Sequence, residues 1–193
     1  MLQILIESIS LILAFVFGIY SYKFMNQFSR LLFVQLCFWI FFYFFSYVLL
    51  FYQTINNFPK NNHWLFNISM VFETFFLLSA SYIYFIKVNL KRLPAIFLVI
   101  FFSLFLFEIH IRGYVVFANY SYIAESFCLI TMYILILYDQ FEKHPFNWYK
   151  APKALISVGI LVYFICNVPY LSLMNYFQKF HPNFNRILFH LVK

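Results

Sequence analysis

The sequence predicts an all-α, polytopic transmembrane helical bundle, and three observations carry that reading. Of 193 residues, 65% are hydrophobic and only 10% charged, with 31 Phe and 16 Tyr. Apolar runs of about twenty residues recur along the chain, the length a helix needs to cross the hydrocarbon core of a bilayer. Glycine is scarce, at 3 residues, and no soluble domain of this size has an interior large enough to hide so much apolar surface. The chain therefore reads as one integral membrane domain, 1–193, with no second folded unit. The Phe excess sits beside abundant Tyr, Ile, Asn and Lys, and is read as a coding bias and not as a ligand cage.

Apolar length and flanking charge place six full helices at 3–22, 31–52, 64–86, 94–110, 120–138 and 154–176, and a partial seventh from Asn185. The first run is interrupted by Glu7 and lacks a basic patch and a small-residue cleavage site, so it reads as a retained helix and not as a leader peptide. Pro94 and Pro152 stand where a first helical turn tolerates proline, which supports the starts of the fourth and sixth helices. Short connections imply an antiparallel bundle of sequential neighbours.

Orientation follows from the basic residues. The first, third and fifth connections hold Lys23, Arg30, Lys87, Lys91, Arg92, Lys143, Lys150 and Lys153, against Lys60, Arg112, Lys179 and Arg186 in the others. By the positive-inside rule the first set is cytoplasmic and the amino terminus lies outside. The expected setting is a cell inner membrane, with the lipid bilayer as the constant partner and a membrane protein or a second copy of the chain as a further one. The net charge of +7 suits anionic head groups, and with no soluble basic module nucleic-acid binding is excluded. Cys37, Cys128 and Cys166 lie in apolar segments without metal-type spacing and read as packing residues.

Four of the six acidic residues, Glu7, Glu73, Glu108 and Glu125, lie in apolar stretches, where a carboxyl is costly and marks a candidate site. At about 1.5 Å per residue, Glu7, Glu108 and Glu125 fall in the outer third and Glu73 near the midplane. Asn167 joins them from the sixth helix, with Pro169 two residues on, and the set is expected to line an outer-half polar cavity. Each also has a plainer account. Glu108 and Arg112 are four apart and read first as an ion pair; Glu7 reaches interfacial water; Glu125 has Ser121 or a tyrosine as a partner. Glu73 needs a partner such as Ser69 or Asn167, because an unbonded polar group is expensive in hydrocarbon. His63, His110 and His181 are weak metal candidates, without any paired-histidine motif, so no cofactor is implied. Asp139, Glu142, Lys143 and His144 read as a solvated helix end.

The segments HWLFNISMVFETFFLLSASYIYF (63–85), NYSYIAESFCLITMYILILY (119–138), ISVGILVYFICNVPYLSLMNYF (156–177) and NRILFHLVK (185–193) resemble a family of small polytopic inner-membrane proteins of Bacteroidota-type bacteria. The resemblance implies recurrent glutamates at the positions of Glu73 and Glu125 and a last helix that runs on beyond Lys193. It carries no activity to transfer. The chain is less similar to the seven-helix hydrolases of the ceramidase and adiponectin-receptor kind, whose paired histidines it lacks, and to the lysoplasmalogenases, whose Gly-Asp helix motif it lacks. The sequence thus favours a non-enzymatic ligand- or partner-binding and sensing protein. The alternatives are a membrane-embedded metal-dependent lipid hydrolase and a proton-coupled transporter.

Overall fold

A computed structural model describes residues 2–55, 63–85, 88–143 and 145–180. Every regular element among them is helical: α1 (Leu2–Ser21), α2 (Gln27–Ile55), α3 (His63–Tyr84), α4 (Val88–Arg112), α5 (Asn119–Lys143), α6 (Pro152–Ser172) and a short α7 (Met174–Phe180). Among the described residues, five spans are long and apolar enough to cross a bilayer: Gln27–Ser46, His63–Tyr84, Leu90–Arg112, Asn119–Lys143 and Pro152–Phe177. The protein is an all-α, multi-pass membrane bundle. In a solvent with no hydrogen-bonding capacity, a helix closes its own backbone bonds, which is why long apolar segments adopt no other form there.

Sequential helices pack on each other, and α3 also packs on α5. Half of α5 is buried, against 6% of the α2 span, so α3 and α5 form the centre while α1 and α2 lie at one side. The core is built from Leu77, Leu78 and Ala80 of α3, Phe101 of α4, Leu129, Met132, Tyr133 and Ile136 of α5, and Phe164 of α6. Small residues on the inward faces, Ala80, Ser81, Ser126, Cys128, Ala154 and Ser157, let the backbones approach, the usual basis of helix association in membranes. Outward faces carry exposed Val99, Leu106, Phe107, Phe127 and Ile165, as lipid contact requires. On the α2 side Phe38 stacks on Phe72 at 5.1 Å and packs on Phe76 at 5.2 Å, which holds α2 to α3 through rings.

Local chemistry sets the helix ends. Gly113 terminates α4 with φ +79, a left-handed conformation that a side chain disfavours. Pro152 begins α6 where its missing N–H costs nothing. Pro94, however, does not begin α4. The helix starts six residues earlier, at Val88, and Pro94 lies inside it. Only one hydrogen bond, to the carbonyl four residues back, is forgone there, and the favourable residues 88–93 extend the helix upstream. The predicted sixth helix is also interrupted. α6 ends at Ser172, three residues after Pro169, and α7 follows beyond Leu173. The predicted seventh helix from Asn185, with His181, lies outside the described residues.

Gly18 sits where α1 meets α2. A Cβ there would fall 2.0 Å from the Phe33 ring, which stacks on Phe15 of α1. Gly18→Ala is expected to loosen α1 at a cost of about 1–3 kcal/mol, while α3 to α6 stay intact. Hydrogen–deuterium exchange in micelles checks this: faster exchange confined to α1 is the expected result.

Candidate functional site

Polar side chains within the spans mostly satisfy themselves on their own helix. Ser81 Oγ donates to the Leu77 carbonyl at 2.9 Å, Ser126 to Tyr122 at 2.8 Å, Ser157 to Lys153 at 2.8 Å and Asn167 Nδ2 to Tyr163 at 2.8 Å. Such back-bonding removes a polar group from lipid without requiring another helix. Against that background, the groups that reach across the bundle or stay unbonded identify the candidate sites.

The first assembly closes the end of the bundle where α4 hands over to α5. Asn67 of α3 donates from Nδ2 to the carbonyls of Tyr114 (3.1 Å) and Val116 (2.8 Å), and its Oδ1 accepts from Ala118 N at 3.0 Å. One side chain thus fixes the whole connection after Gly113. Glu108 of α4 accepts from Tyr120 N at 3.2 Å, Ser121 N at 2.8 Å and Ser121 Oγ at 2.8 Å, as well as from Arg112 at 3.3 Å. It takes the place of an N-cap for α5, supplying acceptors to donors that have no partner inside the helix. Asn175 donates to the carbonyl of Phe117 at 2.7 Å and to Asn119 Oδ1, and Asn119 donates to the carbonyl of Ser172. This is a latch with its hydrogen bonds made. The expected ion pair of Glu108 with Arg112 is present, but Glu108 does more as a cap.

The second assembly lies deeper. Glu125 of α5 is fully buried. Its Oε1 is 2.6 Å from Thr74 Oγ of α3, which also donates to the Met70 carbonyl at 2.9 Å. A hydroxyl has one proton, so both contacts are satisfied together only if the carboxyl contributes a proton to the first. Among the described residues, Glu125 Oε2 and the hydroxyl of Tyr122, three residues earlier, have no hydrogen-bond partner. Glu73, beside Thr74 on α3, interacts electrostatically with Glu125, and both carboxyls act on Tyr122 and on Tyr163 of α6. Glu73 borders a crevice of about 10 Å³ between α2 and α3, room for no more than one water, with Gln35, Phe38, Trp39, Phe42 and Phe76 around it.

The expected partners are therefore corrected. Ser121 is bonded to Glu108 and not to Glu125, whose partner is Thr74 across the helix interface. Ser69 donates to the Phe66 carbonyl at 2.9 Å and Asn167 to Tyr163, so neither is bonded to Glu73. The expected outer cavity splits in two: Glu108 belongs to the latch, Glu73 and Glu125 to the deeper pair. The side chain of Glu7 lies outside the described residues, as does His181. His63 is buried against Phe117, with ring centroids 6.4 Å apart, and His110 is exposed on α4. Among the described residues no three His, Cys, Asp or Glu side chains gather as metal ligands. Thr74, Tyr122 and Gln35 carry no sequence signal beyond being polar residues in apolar runs, which points to a bond across helices but cannot name the partner. Comparison with protein-family models, curated proteins and solved structures gives no match.

Glu108→Ala is expected to cost about 1–2 kcal/mol, the usual price of losing a helix cap. Arg112→Ala, which removes a part-exposed ion pair, is expected to cost under about 1 kcal/mol. Thermal unfolding in detergent orders the two; equal effects would mean that the salt bridge, and not the cap, is what matters.

Proposed function

We propose that this multi-pass membrane protein is a non-enzymatic binding and sensing protein of an inner membrane, and that Glu73 and Glu125 form its binding centre. One observation carries the reading: a fully buried carboxyl with an unbonded oxygen, Glu125 Oε2, interacting with a second carboxyl that faces a crevice. A polar group kept unbonded inside a bundle is costly, whereas Asn67, Glu108, Asn119 and Asn175 at the latch are bonded. The cost is offset when a ligand or partner donates a hydrogen bond or a positive charge. A ligand would have to enter between α2 and α3, where Gln35 and Glu73 line the same crevice, and the rings of Phe38, Phe72 and Phe76 would have to part to admit it. The weakly buried α2 face also offers a surface for a partner helix or a second copy.

A proton-coupled transporter is the second reading, favoured by two acids and an unbonded tyrosine hydroxyl meeting across α3 and α5. Two such carboxyls are able to share one proton. The metal-dependent hydrolase has less support: His63 and His110 belong to no gathered ligand set among the described residues.

Glu73→Gln and Glu125→Gln preserve shape and hydrogen-bonding capacity, so helicity and thermal stability are expected to stay close to wild type. Native mass spectrometry of the purified protein is expected to show a co-purifying molecule in wild type that both variants lose. An unchanged ligand set in both variants would sink the binding centre. Proton uptake into proteoliposomes that Glu73→Gln abolishes would place the transporter first.

A further inference from the structure

The opposite end of the bundle holds a cavity of about 330 Å³ where α2 begins, α3 and α5 end and α6 begins; it is lined by Asn26, Tyr84, Gln140, Lys143, Ala151, Pro152 and Lys153. That volume falls within the range of small-ligand sites. Its floor is a bonded network. Tyr84 donates to Asp139 Oδ2, Gln140 Nε2 donates to Tyr84 Oη, and Lys143 Nζ lies 2.6 Å from the same carboxylate oxygen. Tyr84 and Gln140 are buried, so the floor is set by packing and is not a chance arrangement of surface side chains.

Two ammonium groups converge on this floor. Lys153 Nζ is 5.0 Å and Lys143 Nζ 5.7 Å from the centre of the Tyr84 ring. The ring attracts both, but like charges brought to one ring repel, and the carboxylate bonded to that tyrosine, Asp139, is paired with Lys143. Lys153 has no acidic partner among the described residues. Glu142, also on α5, is exposed and outside the cavity lining, and Lys150 rides over Tyr149 and not over Tyr84. The cavity therefore keeps one uncompensated positive charge. α6 adds to it, since its first turn has no side-chain cap and directs a partial positive charge to the same place. Asn26 uses Oδ1 to accept from Ser29 N at 2.9 Å, which leaves its amide N–H groups as donors at the rim.

We propose that this cavity binds a phosphate-bearing anion. Ammonium groups and amide donors around a half-open pocket suit the oxygens of a phosphate. The cavity lies at a boundary marked by exposed Phe146, Tyr149 and Tyr138, the amphipathic and apolar rings that settle at head-group depth. Two sources share this chemistry, an anionic lipid head group and free phosphate. The site is separate from the Glu73–Glu125 centre, which lies deeper and on other residues.

The test places the full chain in nanodiscs of phosphatidylcholine doped with phosphatidylglycerol and counts retained lipids by native mass spectrometry. Calorimetry with inorganic phosphate runs in parallel on protein in neutral detergent. Wild type is expected to prefer phosphatidylglycerol, to bind phosphate, or both, and Lys153→Gln to weaken that binding by about tenfold or more, the scale of one charge-assisted bond. Lys150→Gln, which removes an equal charge nearby but outside the cavity, is expected to leave it unchanged. Binding of the lipid alone identifies a head-group site, and binding of phosphate alone a soluble-anion site. If Lys153→Gln fails to fold, Lys143→Gln serves instead, with the same loss expected because it leaves Asp139 uncompensated. No preference for phosphatidylglycerol together with no phosphate binding overturns the proposal, as does an equal loss in Lys150→Gln.

Discussion

A bilayer offers polar groups nothing to bond to, and this constraint orders the whole structure. Backbones close on themselves as helices, hydroxyls return to the carbonyl one turn back, and what remains must find a partner on another helix. The latch shows how completely that is done. Asn67 uses its oxygen and its amide nitrogen on one connection, and Glu108 spreads three α5 donors and an arginine over two oxygens. These bonds fix how α3, α4, α5 and α6 meet at that end. They also fix the depth at which Glu125 stands, six residues into α5 and about 9 Å below its start.

The fold was legible because its signals are local. Apolar length marks each span, and Pro152 marks a start as proline should. Pro94 misled because a helix can continue upstream of a proline when it gives up one hydrogen bond, so a proline near a helix start does not fix the first residue. The site was legible as a set of residue types and illegible as a set of pairs. That Glu73, Glu108 and Glu125 are buried polar groups in need of partners follows from their apolar surroundings. That Glu125 meets Thr74, 51 residues away, depends on the rotation of α3 against α5, which sequence spacing on one helix does not express. Asp139 and Lys143 show the opposite limit: their i,i+4 pairing is present, yet the spacing gives no hint that a buried tyrosine and glutamine make them the floor of a cavity.

Three glutamates in similar apolar sequence end in different states, and counting donors separates them. Glu108 receives four hydrogen bonds, from an arginine, two backbone N–H groups and a hydroxyl. Glu125 has one contact, with a hydroxyl already engaged with a carbonyl. Glu73 receives none from the described side chains and keeps an opening toward α2. The order runs from structural cap to unserved carboxyl along a gradient of decreasing donor supply.

The two ends of the bundle then differ in kind. At the latch, donors and acceptors are matched and the chain is closed. At the other end cations outnumber carboxylates around a cavity, and the surplus lies on Lys153, at the first turn of α6. That same helix carries Tyr163 beside the carboxyl pair and ends at the latch through Ser172. α6 therefore touches all three polar assemblies. It packs on α5 along the core, so its placement sets at once where Lys153 stands over Tyr84, where Tyr163 stands in the bundle and where Ser172 meets Asn119.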